Sequence, residues 1–265
     1  MKEQPRLTPS DPISPQDLDR FFEECDSRVA TSDHNAANDQ ALLQREELEI
    51  FFSNLDFRLE IQSATQRQLD RHLAGQFNVF EFIEPDENRL SAILAMLLNP
   101  RGAHGQQGLF LKLFLARLGR GSEPGLDDAR VVREALTHTI TSFLRRIDIL
   151  VTTGSLTLAV ENKVNSAEQE YQLRDYHEHI QGLGQKDYCL VFLTPDGRKA
   201  TSIPEETASK LRSEHRLLEL SYSNDLHAWL EECRRWCEAD RIRHFLANFI
   251  RYIEDHISVN QAEEE

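Results

Sequence analysis

The chain has 265 residues, 40% of them hydrophobic and 28% charged, and its formal net charge is −15. This composition is typical of an ordinary soluble protein, and the length suffices for one large domain or two small ones. The longest apolar-rich run, Leu90 to Leu98, is too short to cross a bilayer, and the first 16 residues lack the apolar segment of a secretory signal. These features argue against a membrane protein, and a cytoplasmic location is expected.

The acidic charge is unevenly distributed along the chain. Residues 1–80 carry 8 basic and 15 acidic side chains, whereas residues 81–200 carry 14 and 16. An acidic surface argues against binding to nucleic acid, which is attracted by basic side chains. Because the middle of the chain is nearly neutral, this objection is weaker for a site located there.

The cysteines do not have the spacing of a metal site. Cys233 and Cys237 are four residues apart on a predicted helix, but no second pair and no convincing histidine partner lies nearby. Cys25 and Cys189 are isolated. Reduced structural thiols are therefore expected, and zinc is not.

The amino-terminal region is predicted to be helical after a loosely attached start at residues 1–14, which contain three prolines. A short helix is predicted to begin at Ser14–Pro15 and to end before the polar residues 31–40. A long helix follows from Ala41 to about Ala74, and its apolar stripe is expected to pack on the next domain or on another protomer. The stripe consists of Leu48, Phe51, Phe52, Leu55 and Leu59.

Two further helices are predicted before the first strand. One begins near residues 85–87, where a proline and two acids favour a first helical turn, and the segment 99–102 ends it. The second is apolar and runs from about Gly108 to Leu118. Glu87 lies at the start of the first helix, where its carboxylate would face either water or the strands that follow.

Residues 145–163 (RRIDILVTTGSLTLAVENK) organise the predicted fold. Apolar and polar residues alternate on both sides of residues 153–155, which predicts a β-hairpin. If Gly154 and Ser155 form a type II′ turn, Thr153 pairs with Leu156 and Asp148 lies opposite Glu161. Burial of the apolar face fixes this register. That face carries Ile147, Ile149, Val151, Leu156, Leu158 and Val160, and the other carries Asp148, Leu150, Thr152, Thr157, Ala159, Glu161 and Lys163.

This register brings two carboxylates together. The Cβ atoms of directly opposed residues are about 5 Å apart, and like charges there repel by roughly 3 kcal/mol at an effective dielectric constant of about 20. A divalent cation between Asp148 and Glu161 would reverse the sign of that energy. Lys163 points to the same side because side chains alternate along a strand.

The remaining elements are predicted from periodicity and turn residues. Strands are expected at Val131 to about Thr139, pairing with the Arg145 strand, and at 187–194 and 216–221, with a turn at 195–197. A helix from about Ser166 to Gln181 carries Gln169, Gln172 and Tyr176. Two amphipathic helices end the chain. Their stripes are Leu226, Trp229, Leu230, Cys233 and Cys237, and Ile242, Phe245, Leu246, Phe249 and Ile253.

Asp148 followed by Glu161–Asn162–Lys163 resembles the core motif of the PD-(D/E)XK nuclease superfamily. Upstream, Glu87 and Ser91 resemble the Glu-x-x-x-Ser pattern of a bacterial branch of that superfamily, with a later His104–Gly105. Downstream, QEYQLRDY at 169–176 resembles its Gln-x-x-x-Tyr helix, and VFLTPDG from Val191 resembles the next strand and turn. The resemblance spans about residues 77–255, with its parts in the same order.

The resemblance implies an α/β, restriction-endonuclease-like core: a central mixed β-sheet of about four to five strands flanked by helices, with additional amino-terminal helices. Residues 1–76 would form an amino-terminal helical extension, residues 77–258 the nuclease-like domain and residues 259–265 an acidic tail. A homo-oligomer or a partner protein would contact the amino-terminal helices.

The resemblance also implies a Mg²⁺- or Mn²⁺-dependent nuclease with DNA as the expected substrate, acting in anti-phage defence or nucleic-acid processing. Asp148, Glu161 and the backbone carbonyl of Asn162 would bind the metal, with Glu87 contributing directly or through water. Lys163 would orient or deprotonate the attacking water. Supporting or substrate-binding roles would fall to Gln172, Tyr176, Gln169, Ser91 and His104.

A second hypothesis of a different class is a non-catalytic binding or assembly module that kept the nuclease fold. The acidic surface and the long amino-terminal helices favour it. The presence of every expected catalytic residue type favours the enzyme.

Overall fold

The computed structural model describes residues 19–20, 36–137, 145–184 and 187–258. The predictions for residues 1–14 and for the acidic tail lie outside these residues, as does the helix predicted from Ser14 except at residues 19–20, which are helical. The chain divides into two compact units, Met1–Phe77 and Asn78–Glu265. Across the described ranges, no helix is both long enough and apolar enough to span a membrane.

The first unit contains helix α1 (Ala36–Leu73), which begins five residues before the predicted start. Alanines at 36 and 37 favour the helical conformation and extend it into the polar stretch. Many of its apolar side chains are exposed; for example, Leu55 and Leu59 retain 36% and 53% of their accessible surface.

The second unit is built around a five-stranded mixed sheet, which confirms the fold class implied by the resemblance. The first three strands form an antiparallel meander, and the last two run parallel to the third. The predicted pairing of the first strand with the Arg145 strand is confirmed, although residues 138–139 at its predicted end lie outside the described residues. The strands, in chain order and also in spatial order, are β1 (Arg130–Leu136), β2 (Arg146–Thr152), β3 (Leu156–Asn162), β4 (Asp187–Thr194) and β5 (Leu217–Ser221).

The predicted register of the β2–β3 hairpin is confirmed. Thr152 pairs with Thr157, and Ile149 pairs with Val160. Regular pairing between the two strands ends at that second pair, one residue before the two carboxylates of the motif. The next positions along the same register are Asp148 and Glu161.

The turn of this hairpin differs from the predicted type II′. Gly154 does not have the positive φ that the first central position of that turn requires. Instead, Thr153 Oγ1 accepts hydrogen bonds from the N–H groups of Ser155 at 3.3 Å and Leu156 at 2.9 Å. A threonine side chain therefore closes the turn, and the register survives the change of turn type.

Helices cover both faces of the sheet. The helices of this unit are α2 (Val79–Ile83), α3 (Glu87–Leu98), α4 (Leu109–Arg117), α5 (Gln172–Gly182), α6 (Glu205–Ser213), α7 (His227–Trp236) and α8 (Asp240–Tyr252). On one face, helices α3, α4, α7 and α8 bury the apolar side chains of β2 and β3. On the other face, α5 and α6 pack on Ala159 and Phe192.

One residue predicted for the apolar face of the hairpin lies on the opposite face of the sheet. Ile147 was expected beside Ile149, but it packs with Ala159 on the face that α5 and α6 cover. Its place coincides with the end of regular β2–β3 pairing, and Glu134 on the neighbouring strand has a left-handed φ of 49°. The strict alternation used in the prediction does not hold through this irregular stretch.

Helix α5 begins at Gln172, six residues after the predicted start, so Gln169 precedes the helix. Tyr171 has a left-handed φ of 61°, which interrupts helical geometry. The preceding backbone is engaged elsewhere: the N–H groups of Val164 and Asn165 donate to Glu87. Helices α2 and α6 were not predicted, since α2 is too short to show a period and α6 is mostly polar.

Candidate active site

A polar cleft of about 540 Å³ brings most of the predicted site residues together. Strands β2 and β3 supply Asp148 and Glu161, and Lys163 directly follows β3. The starts of α3 and α5 supply a carboxylate, an amide and a phenol. The cleft is lined by Glu87, Asn88, Glu134, Arg145, Arg146, Asp148, Glu161, Lys163, Gln169, Gln172 and Tyr176.

Glu161 is the most enclosed carboxylate of the cleft, at 1% exposure, because it lies on the central strand β3. Its Oε1 atom accepts bonds from Lys163 Nζ at 2.9 Å and Gln172 Nε2 at 2.6 Å. Its Oε2 atom accepts a bond from the Tyr176 hydroxyl at 2.8 Å. Burial, and then the charge of Asp148, raise the pKa of Glu161 to about 7.

Asp148 lies where regular pairing of β2 and β3 has ended. Its Oδ2 atom accepts a hydrogen bond from the Asn162 backbone N–H at 2.8 Å. Oδ1 has no hydrogen-bond partner among the described residues. Burial raises the pKa of Asp148, and the neighbouring carboxylates of Glu87 and Glu134 act in the same direction. Because the pairing of β2 with β3 has ended here, the Asn162 N–H is available to donate to Asp148 and orients the Asp148 carboxylate in the cleft.

Glu87 is the first residue of α3, whose N-terminus is capped by the Asp86 side chain. Its carboxylate accepts bonds from the Val164 N–H at 3.0 Å and the Ser166 hydroxyl at 2.7 Å. Burial would raise the pKa of Glu87, but these bonds and the charge of Lys163 outweigh it and lower the pKa. Glu87 therefore remains ionised and anchors the loop that follows β3.

Lys163 lies between two of these carboxylates. Its Nζ atom is 2.9 Å from Glu161 Oε1 and 3.3 Å from Glu87 Oε1, and the residue is 8% exposed. The Lys163 N–H donates to the Leu193 carbonyl at 2.8 Å, which fixes the backbone against β4. Burial alone would lower the pKa of Lys163, but the charges of Glu161, Glu87 and Asp148 raise it. A charged ammonium group is thus held at the centre of the cleft.

Arg145 is a cleft residue for which the sequence analysis assigned no role. Its guanidinium forms an ion pair with Asp175 and donates to Gln169 Oε1 at 2.9 Å. The Gln169 N–H in turn donates to Gln172 Oε1 at 3.2 Å, which leaves the Gln172 amide nitrogen to donate to Glu161. The two adjacent basic residues, 145 and 146, were the feature of the sequence that could have indicated this role. The partner Asp175 lies 30 residues away, so no local sequence pattern connects it to Arg145.

Asn162 ties the end of β3 to two other segments. Its Nδ2 atom donates to Ser91 Oγ at 3.0 Å, and Ser91 Oγ donates to the Glu87 carbonyl at 2.9 Å. Its Oδ1 atom accepts a bond from the Tyr222 hydroxyl at 2.8 Å. Asn162 and Tyr222 are both fully buried. Ser91 therefore supports the cleft through Asn162, and Tyr222 is a supporting residue that the sequence analysis missed.

We expect Tyr222→Phe to reduce the free energy of unfolding by about 1–3 kcal/mol, because it leaves the buried Asn162 Oδ1 atom without its donor. Urea unfolding followed by circular dichroism would measure this change. Tyr252→Phe is the matched control, since the Tyr252 hydroxyl has no hydrogen bond within the described residues and its loss should change little. Equal effects of the two substitutions would contradict the prediction.

The raised pKa of Glu161 predicts a pH dependence of stability in the metal-free protein. The folded state holds this proton more tightly than the unfolded chain, so the free energy of unfolding should fall as pH rises from about 4.5 to about 7. Glu161→Gln removes that titration and should gain about 2–3 kcal/mol relative to wild type across this range. Urea unfolding in EDTA at several pH values measures the difference, and parallel pH profiles would refute it.

His104, for which a supporting or substrate-binding role is predicted, does not line the cleft. The residue is 2% exposed, Nε2 lies 2.8 Å from the Asn99 carbonyl oxygen, and Nδ1 accepts from the Gln106 N–H at 3.0 Å. Its ring packs on Phe110. Both nitrogens are thus engaged within the loop between α3 and α4, and His104 orders that loop.

The described residues contain no group of three or more His, Cys, Asp or Glu side chains already placed to hold a metal ion. Asp148 and Glu161 nevertheless suit a hard divalent cation, because both offer carboxylate oxygens and their mutual repulsion would be relieved. Glu87 fits direct ligation less well, since its oxygens already accept bonds from Lys163, Val164 and Ser166.

Comparison with known families gives one match. The family model described as the PD-(D/E)XK nuclease superfamily matches residues 77–251. No curated protein and no solved structure matches the chain. The matched segment contains every residue that lines the cleft and excludes helix α1.

Proposed function

The chain belongs to the PD-(D/E)XK nuclease superfamily, and from this premise we propose that it is a metal-dependent nuclease that hydrolyses phosphodiester bonds in DNA. The family supports a nuclease-type function in general. The observation that carries the more specific proposal is the placement of Lys163 between Glu161 and Glu87, in the cleft that also holds Asp148.

Asp148 and Glu161 would hold the divalent cation, Mg²⁺ or Mn²⁺. The resemblance to the family suggests the Asn162 backbone carbonyl as a further ligand. When bound, the cation supplies positive charge to the phosphate oxygens and lowers the pKa of water. Glu87 would act through water rather than directly, because its carboxylate anchors the Val164–Ser166 segment. Its negative charge also helps to keep Lys163 protonated.

Lys163 would contact the phosphate or the attacking water. A protonated amine cannot ligate a cation, but it can donate hydrogen bonds to a phosphate oxygen and stabilise charge that develops there. Its engagement with two carboxylates limits its freedom before substrate arrives. A side chain already oriented in this way loses little entropy when the reaction begins.

Gln172 and Tyr176 would keep the Glu161 carboxylate in one orientation. Each donates a hydrogen bond to a different oxygen of Glu161, and Tyr176 is 1% exposed. Gln169 and Arg145 act behind Gln172 by fixing which end of its amide faces Glu161. These four residues would support catalysis by positioning a metal ligand.

The proposed substrate is DNA, and the biological setting suggested by the resemblance is anti-phage defence or nucleic-acid processing. The Arg146 side chain is 66% exposed at the cleft, where it lies 3.5 Å from Glu134, and its guanidinium would contact the phosphate backbone. The acidic charge of the chain lies largely outside residues 81–200, which carry the cleft, so it opposes binding less at this site.

The test is to incubate the purified protein with linear duplex, circular duplex and single-stranded DNA and with RNA, each with Mg²⁺, Mn²⁺ or EDTA. We expect cleavage of DNA that requires the metal, and conversion of circular DNA would identify an endonuclease. Cleavage confined to RNA would refute the proposed substrate. Absence of cleavage under every condition, together with binding of nucleic acid or protein through this domain, would favour the non-catalytic module.

A further inference from the structure

Helix α1 carries a heptad repeat of apolar residues over its carboxyl-terminal two thirds. When Leu48 is assigned to position d, the a and d positions alternate at spacings of four and three residues, as in a coiled coil. The repeat extends over roughly three and a half heptads, a length typical of stable coiled-coil pairing. We call these a and d residues the seam. They are Leu48, Phe52, Leu55, Leu59, Gln62, Gln66, Leu69 and Leu73.

The seam is accessible within the part of the chain that the structure describes. Leu59, Leu69 and Leu73 are 53%, 47% and 71% exposed, and Leu55 is 36% exposed. Apolar side chains in such a row are normally covered by another helix, because exposed contiguous apolar surface marks an interaction site. The regular a/d spacing further specifies that the covering element is helical.

We propose that the seam pairs with the seam of a second copy of this chain, in a parallel, in-register, two-stranded coiled coil. Gln62 and Gln66 form two adjacent polar layers among the apolar layers of the seam, and their placement specifies the orientation. In parallel register each glutamine faces its own counterpart, where the two amides can hydrogen-bond to each other. Every apolar layer then faces an identical apolar layer.

The antiparallel alternatives are less favourable. With full overlap, Gln62 would face Leu59 and Gln66 would face Leu55 of the second copy, so neither amide would meet a polar side chain across the seam, although the Gln66 amide also donates to Asp70 of its own helix at 3.0 Å. The same arrangement would place Glu49 beside Asp70, two like charges at e positions. Sliding the helices until the glutamines match would leave Leu48 and Phe52 outside the pairing.

Charges beside the parallel seam are compatible with self-pairing. In that arrangement each g position lies near the e position of the following heptad on the second copy. Phe51 and Thr65 at g would lie near Asp56 and Asp70 at e, and Arg58 at g would lie near Ser63. Like charges are therefore not brought together across the seam.

Not every exposed apolar residue of α1 belongs to the seam, and this provides a matched control. Ile50 and Phe57 both lie at f positions, on the side away from the seam, and both are 62% exposed. Substitution there introduces the same charge into the same helix. It should leave the pairing intact.

Analytical ultracentrifugation of the full-length protein tests whether the seam forms a dimer interface. The wild type, with a chain mass of 30.6 kDa, is expected to sediment as a dimer at micromolar concentrations. The Leu55→Glu/Leu59→Glu variant should sediment at half that mass, and the Ile50→Glu/Phe57→Glu variant should remain dimeric. Circular dichroism would verify that both variants keep the folded second unit. A monomeric wild type, or equal loss of dimer in both variants, would overturn the proposal.

Cysteine cross-linking tests the orientation. Gln62→Cys, made with Cys25→Ser, should form a disulfide-linked dimer when treated with the thiol oxidant diamide, because parallel register places position 62 beside its counterpart. The other native cysteines are buried. Ile50→Cys in the same background is the control and should remain unlinked. A dimer that sediments normally but gives no cross-link in the Gln62→Cys variant would overturn the parallel arrangement. These measurements do not depend on nuclease activity.

Discussion

Replacement of Lys163 by alanine is expected to lower the rate of DNA cleavage by roughly a hundred- to thousand-fold. The ammonium group is held 2.9 Å from Glu161 and cannot itself ligate a cation, so its loss should remove stabilisation of the transition state. The rise in melting temperature that Mg²⁺ or Mn²⁺ produces should largely persist. Single-turnover cleavage rates and thermal unfolding with and without metal would measure the two effects separately.

Two variants make this experiment discriminating. Lys199→Ala removes an exposed lysine that does not line the cleft and should cleave at the wild-type rate. Glu161→Ala should lose both cleavage and the metal-dependent rise in melting temperature, because it removes a proposed ligand. If Lys163→Ala cleaves as fast as wild type, the observed activity belongs to another site or to a contaminant.

Mg²⁺ or Mn²⁺ is expected to stabilise the wild-type protein against thermal unfolding. Binding to the folded form alone at a hundred times the dissociation constant contributes about 2.7 kcal/mol, or roughly 5–10 °C in melting temperature for a domain of this size. Asp148→Asn should abolish most of this shift. It should also raise the melting temperature of the metal-free protein, because burial and neighbouring carboxylates oppose ionisation of Asp148.

Differential scanning calorimetry over a series of metal concentrations measures both expectations. Asp128→Asn is a suitable control, since the Asp128 side chain is 92% exposed and lies outside the cleft lining. This variant should keep the full metal-dependent shift. A wild-type melting temperature that does not respond to saturating Mg²⁺ or Mn²⁺ would exclude the proposed metal site.

The hairpin shows what local sequence could predict. Alternation of apolar residues on both sides of Gly154 determined which residues pair, because a slip of one residue would have exposed half of the core. The turn type was not determined, since the Thr153 side chain offered an alternative closure that keeps the same pairing. The position of Ile147 was missed for a related reason: the alternation assumes a regular ladder, and this one ends at Ile149.

Contacts between distant segments were the least predictable part of the site. The resemblance identified Glu87, but only the structure shows that its carboxylate holds Val164 and Ser166, more than 70 residues later. Those contacts also hold residues 164–166 outside a helix, at the point where the sequence predicted α5 to begin. The roles of Arg145 and Tyr222 required knowledge of partners 30 and 60 residues away.

The double attachment of Glu87 affects how kinetic data on this residue should be read. Its carboxylate serves Lys163 and the loop at once, so a rate lost in Glu87→Gln would combine an electrostatic change with a displaced loop. A double-mutant cycle with Ser166→Ala separates the two, because this substitution removes the hydroxyl that holds the loop on the Glu87 carboxylate and leaves the charges of Glu87 and Lys163 in place. A large coupling energy would assign the loss to loop geometry, whereas additivity would assign it to the charge beside Lys163.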